Sequence, residues 1–342
     1  MTVQWQLSST QECSISWGTD IDYTLGSATT TEKTGGPDQH IHSYTITGLA
    51  SGSLYFYRVL IDGRYHTGSF VTAPDSSTSN LSFIVYGDMR TQVSIHNEVA
   101  GNILAVHDFN NVYRTFTLAV GDLVTNGSYE YYWDYEFFNQ DMINIQQLIA
   151  RTPLITAVGN HDLGNGLFRQ YFPYPYYSAN GLYWSFDYGP VHVAVVDQYV
   201  PYSTGSAQYN WLQSDLAAST KTWKFIAFHQ PGWSAAGGHD NNTDTQTYIE
   251  PLCETYDVSI VFAGHNHYYA RAEVSYGSGK KVYHITTGGG GAPLHTPLGG
   301  QPNVITAISA YHFCEIAITG NTLNFSAVQL DGAVIDSFTI TK

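Results

Sequence analysis

The chain has 342 residues, with 13 basic against 28 acidic side chains and a formal net charge of −15. A surface this acidic excludes a nucleic-acid polymer as partner, because phosphate backbones are gripped by Lys and Arg. A small anion is still acceptable where metal ions supply local positive charge. Hydrophobic residues make up 43% of the chain, which at this length favours two domains over one core. Only 12% of residues are charged, while Tyr (27) and Gly (32) are plentiful, a composition usual for exported proteins. No apolar stretch reaches membrane-spanning length, so no membrane partner is expected. The opening Met1-Thr2-Val3-Gln4-Trp5 has no charged and apolar export segment. With the composition, this leads to the expectation of a mature secreted or periplasmic form. Cys13, Cys253 and Cys314 are odd in number and far apart, so buried free thiols are expected rather than a disulfide framework.

Residues 1–75 alternate apolar and polar positions, as in Cys13–Trp17, Tyr44–Ile46, Tyr55–Val59 and Ser69–Val71. Turn clusters at Gly35-Gly36-Pro37-Asp38, Ser51-Gly52-Ser53 and Asp62-Gly63 separate them. Short strands at this spacing predict a small all-β sandwich. Pro74–Asn80 is a linker by composition. Residues 80–342 then form a second domain. Helical spacing over Thr91–Phe109, Tyr132–Ala150, Ser206–Ala218 and Asp244–Tyr256 alternates with apolar strands, which argues parallel pairing through right-handed crossovers. Residues 272–342 read as further strands (Lys281–Thr286, Cys314–Ile318, Leu323–Leu330, Val334–Ile340) and are expected to form a second sheet.

Five apolar runs each end in residues of metal-binding type. Leu81–Tyr86 runs into Gly87-Asp88, Phe116–Val120 into Gly121-Asp122, and Leu154–Val158 into Gly159-Asn160-His161-Asp162. Phe225–Phe228 runs into His229, and Val258–Ala263 into Gly264-His265-Asn266-His267. Buried parallel strands read as such runs, and ligands bind beyond the carboxyl ends of such strands. The groups should therefore converge. Two carboxylates, an amide oxygen and three imidazoles amount to a dinuclear metal centre, since Asp bridges hard cations and neutral imidazole suits Zn, Fe or Mn.

The order Gly-Asp, Gly-Asp, Gly-Asn-His, His-x-Pro, Gly-His-x-His resembles the calcineurin-like metallophosphoesterases. With the N-terminal sandwich, the chain is most similar to the purple acid phosphatases. Thr47-Gly48-Leu49 before Tyr55–Val59 resembles a corner of fibronectin type III domains. The resemblance implies a two-sheet α/β/β/α sandwich behind a fibronectin-like module. It implies that Asp88 and His267 bind a first metal, that Asp122 bridges, and that Asn160, His229 and His265 bind a second. It also implies hydrolysis of small phosphate esters by a metal-activated water, with His161 and His239 as substrate contacts or proton donors. A phosphodiesterase or nucleotidase of the same fold and a catalytically retired binding module are the alternatives. Neither the identity of the two transition metals (Fe, Zn or Mn) nor the oligomeric state is specified.

Two positions depart from the family pattern. Thr125 stands where the family has the tyrosine that binds ferric ion, so a colourless protein is expected. Arg90 follows Gly87-Asp88-Met89 where the family usually has Gly. It either helps hold a phosphate oxygen or pairs with a surface acid. Asp162 either orients His161 or caps a turn. Gly288–Gly291 reads as a close-packed turn, with His295 at the cleft rim, and Tyr171–Tyr177 as an aromatic loop for packing or for stacking on a leaving group. His40, His42, His96 and His107 have no partners in the pattern and are read as surface or core residues.

Overall fold

The computed structural model describes residues 1–34, 40–106, 114–164 and 166–342. The turn predicted at 35–38, the end of the helix predicted to 109 and His107 lie outside the described residues. The first strands are β1 (Thr2–Leu7), β2 (Cys13–Gly18), β3 (Gly26–Thr30), β4 (Glu32–Thr34), β5 (His40–Thr45), β6 (Leu54–Ile61) and β7 (Arg64–Val71). They build two antiparallel sheets, β1-β5-β4 and β3-β2-β6-β7. Period-2 patterning turns Cys13, Ile15, Tyr55, Val59 and Phe70 inward to a shared core with Val3 and Ile46. The Tyr55 hydroxyl accepts the Ala50 N–H, five residues upstream, at 2.9 Å.

After the linker come β8 (Asn80–Tyr86), α1 (Val93–Val106), β9 (Arg114–Ala119), α2 (Glu130–Tyr132), α3 (Ile143–Arg151), β10 (Leu154–Thr156) and α4 (Leu167–Tyr171). Next are β11 (Trp184–Tyr188), β12 (Val191–Val195), α5 (Ala207–Ala218), β13 (Trp223–Ala227), α6 (Glu250–Tyr256) and β14 (Ile260–Ala263). The last are β15 (Tyr269–Ser275), β16 (Lys281–Thr287), β17 (Val304–Ile308), β18 (His312–Thr319), β19 (Thr322–Gln329) and β20 (Val334–Thr341). One sheet runs β10-β9-β8-β18-β19-β20 and the other β11-β12-β13-β14-β16-β15-β17. They pack face to face through Phe83, Phe116, Phe225 and Phe262, with Phe83 and Phe116 stacked at 4.6 Å. Val99 and Ile103 of α1 and Ile145 and Leu148 of α3 cover the first sheet. Trp211, Leu212 and Leu216 of α5 and Leu252 and Cys253 of α6 cover the second. The layers are therefore α/β/β/α.

Two details differ from the sequence reading, and one open alternative is decided. Residues 272–342 do not form one sheet: β15–β17 extend the second, while β18 pairs antiparallel with β8 and carries β19 and β20 into the first. The helix expected over Tyr132–Ala150 is interrupted. A π-helical turn at Trp133–Phe137, closed by Phe138 N–H to the Trp133 carbonyl, rotates Trp133, Glu136 and Phe137 into the core. Of the two readings of the aromatic run Tyr171–Tyr177, packing is the one observed. Tyr174 donates to the Leu154 carbonyl and stacks on Trp184 at 4.2 Å, while Gln4 of β1 donates to the Gln170 and Tyr171 carbonyls. Of the run's aromatic side chains only Tyr177 is exposed, and its ring lies against Tyr183 and Trp211.

All three cysteines are buried and free. Among the described residues, no helix is long and apolar enough to cross a membrane.

Candidate metal centre

Parallel pairing of β8, β9 and β10 in one sheet, and of β12, β13 and β14 in the other, brings their carboxyl ends to one rim. Asp88, Asp122 and Asn160 leave the first sheet there, and His229, His265 and His267 the second. The chain must turn sharply at the end of each strand. Asp88 (φ 56°), Asp122 (φ 56°) and His265 (φ 66°) do so in the left-handed region, which non-glycine residues rarely enter and which clusters at functional sites. Two glycines make room for the carboxylates. A Cβ on Gly159 would lie 2.2 Å from Asp122 Oδ1, and one on Gly264 would lie 2.3 Å from Asp88 Oδ2.

One oxygen from Asp88, one from Asp122 and a nitrogen of His229 lie within 4.8 Å of one another, and all three side chains are buried. His229 Nε2 is the hub. Asn160 Oδ1 is 3.1 Å away, His265 Nδ1 3.2 Å and Asp122 Oδ1 3.3 Å. His267 Nε2 lies 3.5 Å from Asp88 Oδ1. The structure thus brings together all six residues that the sequence assigns to metal.

Backbone carbonyls fix which ring nitrogens are free. His229 Nδ1 donates to Val120 O (2.9 Å), His267 Nδ1 to Pro293 O (2.8 Å) and His161 Nδ1 to Thr125 O (2.7 Å). Their Nε2 lone pairs therefore face the site, as a metal ligand requires. Asp162 does not touch the His161 ring. Its buried carboxylate accepts the N–H groups of Asp122, Leu123 and Gly159 at 2.8 Å each, which locks the two ligand-bearing turns together. A carboxylate is the side chain that can accept several converging amides at once, so of the two readings the turn-holding one is observed.

The remaining candidates line the cleft. His161 Nε2 is 3.9 Å from Asp122 Oδ2, with about a third of the ring exposed. The exposed His239 stacks on His265 at 3.9 Å. Arg90 points inward, not to a surface acid: its Nε donates to Asp122 Oδ2 at 3.2 Å. Thr125 donates its hydroxyl to Glu136 Oε1 at 2.7 Å, which holds it against the buried π-helical turn. His295 was read only as a rim residue. It stacks on His267 at 4.0 Å, and its Nδ1 accepts the His267 N–H at 3.2 Å. A histidine four residues beyond Gly291 was the available signal, but no motif tied it to the ligands. The turn itself packs on the Asp88 segment, with Gly290 N–H donating to Gly87 O at 2.9 Å.

So many titratable groups in one buried cluster shift one another. Burial, with the neighbouring Asp122 carboxylate, pushes Asp88 up to about 8. Burial alone would also raise Asp122, but His229 and His161 beside it hold it below the usual carboxylate range. For His229 burial alone would lower the pKa, and the Asp122 and Asp88 carboxylates carry it up to about 9. Burial and the charge on His229 push His265 down to about 2, and burial pushes His267 down to about 3. The donor set fits a cation. Metal–nitrogen bonds of about 2.0–2.1 Å give tetrahedral edges of about 3.4 Å, close to the 3.1–3.3 Å spacings around His229 Nε2.

Residues 82–269, more than half of the chain, match the family model for calcineurin-like phosphoesterase, and the chain belongs to that family. Among curated proteins it is similar to purple acid phosphatase 15 of Arabidopsis thaliana, 29% identical over 69% of this chain and 50% of that one. It is also similar to purple acid phosphatase 22 of the same plant, 28% identical over 73% and 58%. The chain thus spans about half the length of the curated relatives it matches. Among solved structures, a purple acid phosphatase from yellow lupin (Lupinus luteus) seeds superposes with a TM-score of 0.81. That match is 21% identical and covers 99% of this chain and 72% of the other. PhoD superposes with a TM-score of 0.73 at 12% identity, covering 98% and 84%. These two likenesses show the fold.

Proposed function

We propose that this chain is a metal-dependent phosphoric ester hydrolase, acid phosphatase-like in preferring small phosphomonoesters. One observation carries the reading: six ligand-type side chains from five distant segments meet with their lone pairs facing one another. Asp88 and His267 would hold one cation, and Asn160, His229 and His265 a second, with Asp122 between them. When bound, the two cations (Fe, Zn or Mn) would supply Lewis acidity, drawing charge from a phosphate oxygen and readying a water for attack near neutral pH. The protein's own groups do the rest. Arg90 directs a guanidinium at the same rim, suited to a phosphate oxygen. His161, oriented by the Thr125 carbonyl, presents Nε2 to the cleft as a contact for a phosphate oxygen and, as an imidazolium, would be the proton donor for a leaving alkoxide. His239, stacked on His265, is the second such contact.

Residues 1–75 are proposed as a fibronectin type III-like module and 80–342 as the catalytic domain. The Tyr55–Ala50 hydrogen bond matches the tyrosine corner of such sandwiches. The Gln4 contacts to the carboxyl end of α4 support a packing role for the module. A secreted or periplasmic location is proposed from the composition.

The test is elemental analysis of protein purified without chelators. Turnover of p-nitrophenyl phosphate, bis-p-nitrophenyl phosphate, nucleotides and phytate, with Mn, Zn, Fe or Co added, then sorts monoester from diester preference. Asp122→Asn should remove most bound metal and lower kcat/KM by more than the roughly 10–100-fold that even outer partners of a metal ligand are worth. Survival of both metal and rate in that variant overturns the reading.

A further inference from the structure

The two halves of the centre are not equivalent. Around His229 Nε2, the atoms of Asn160, His265 and Asp122 face one another with no arginine or lysine side chain among them. The other half already holds a cation. Arg90 Nε donates to Asp122 Oδ2 at 3.2 Å, and its Nη2 lies 3.5 Å from His267 Nε2. That nitrogen is the one left free by the Pro293 carbonyl, so the guanidinium faces the lone pair that a metal at Asp88 and His267 would need. The side chain is only 14% exposed.

The guanidinium is also held in place. Arg90 Nη1 donates to Thr91 Oγ1 at 3.2 Å, and Thr91 Oγ1 lies 3.2 Å from Thr125 Oγ1, which is itself bound to Glu136. Thr91 adopts φ 76°, a region that a β-branched residue avoids and that persists only where the surroundings impose it. Strain at that residue, a hydroxyl relay and two contacts to ligand atoms all serve one placement.

We infer that Arg90 is a resident cation of the Asp88–His267 half, so that the centre binds one metal ion tightly at Asn160–His229–His265 and a second far more weakly. The inference rests on the reading of these six side chains as a metal centre. A guanidinium beside the ligands repels a second cation, which at short range in a buried site separates the two affinities by at least about 100-fold. The weaker half then depends on metal supply, while the guanidinium stands in for part of its charge towards a phosphate.

The experiment is calorimetric titration of the chelator-stripped full chain with Mn(II) and with Zn(II), plus elemental analysis after gel filtration. The wild type should retain about one ion per chain and bind a second at least about 100-fold more weakly. Arg90→Ala should retain about two. Thr91→Gly fits φ 76° without strain, so it covers the case in which Arg90→Ala fails to fold, and it should strengthen the second site. Two equal sites in the wild type, or no change in the second site in either variant, overturns the inference. The readout is independent of turnover. If ions bind as stated and no phosphate ester is cleaved, the hydrolytic reading falls and the role of Arg90 stands. If no ion binds to the wild type or to a folded variant, both fall.

Discussion

Gly159 offers the sharpest test of how the centre is built. Its ideal Cβ would sit 2.2 Å from Asp122 Oδ1 and 2.3 Å from the Asp122 backbone nitrogen. Ordinary contact begins near 3.4 Å, so Gly159→Ala requires an opening of 3.4 − 2.2, about 1.2 Å. The backbone cannot yield cheaply, because Gly159 and Asp122 are both tied to the Asp162 carboxylate at 2.8 Å. Overpacking of this kind costs about 1–3 kcal/mol. The functional loss should be larger than the loss of stability. A displacement of about 1 Å at a reacting centre costs about 100-fold in rate, and Asp122 is proposed to sit between both cations. Calorimetric metal titration, kcat/KM on p-nitrophenyl phosphate and a thermal melt on one preparation separate the two effects. A folded Gly159→Ala protein with metal affinity and kcat/KM within about threefold of wild type would refute the argument.

Away from the centre, buried His192 bridges Asp187 Oδ1 and Asp215 Oδ2, each at 2.9 Å. Burial alone would favour the neutral ring, but the two carboxylates hold its pKa above the ordinary value. A raised folded-state pKa means stabilisation that is complete below about pH 6.5 and lost as pH rises through the folded value. His192→Gln should therefore lose about 2 kcal/mol at pH 6 and clearly less at pH 9. Urea denaturation at both values reads this, and equal losses would contradict it. Thr125 is engaged by Glu136 and offers no phenolate. Protein loaded with Fe(III) should thus lack an intense visible band of phenolate-to-iron charge transfer, and a strong band of that kind would be the opposing result.

The parts legible in the sequence are those in which local chemistry and tertiary position coincide. Phe83, Phe116, Phe225 and Phe262 sit in apolar runs because the strands are buried between two sheets, and such runs need no partner to be recognised. Gly159 and Gly264 precede ligand residues because a carboxylate from elsewhere needs the space of their missing Cβ. Distant pairing was not legible. Nothing in Cys314–Ile318 states that it joins β8 rather than the nearby β16. The π-helical turn at Trp133–Phe137 keeps apolar residues at near-helical spacing, so periodicity read a single helix across it. Tyr174 and Tyr176 sit in a Pro-broken run whose composition suits packing and stacking alike, and only the reach of their hydroxyls to the Leu154 and Phe172 carbonyls decides for packing. Arg90 was visible as a departure from a motif, but its direction depends on Asp122, which lies 32 residues further on.

The placement of β18 beside β8 bears on how the polypeptide reaches this state. Cys314 lies opposite Val85, so the strand that delivers Asp88 has an open edge until a segment some 230 residues later arrives. Contacts of such sequence separation make folding slow and leave apolar edges available for mispairing. During synthesis, therefore, the carboxylate-bearing half exists for a time as an unfinished, adhesive intermediate. A ribosome-bound fragment ending before His312 should recruit chaperones, and early metal capture would have to occur on a scaffold whose flank is still missing.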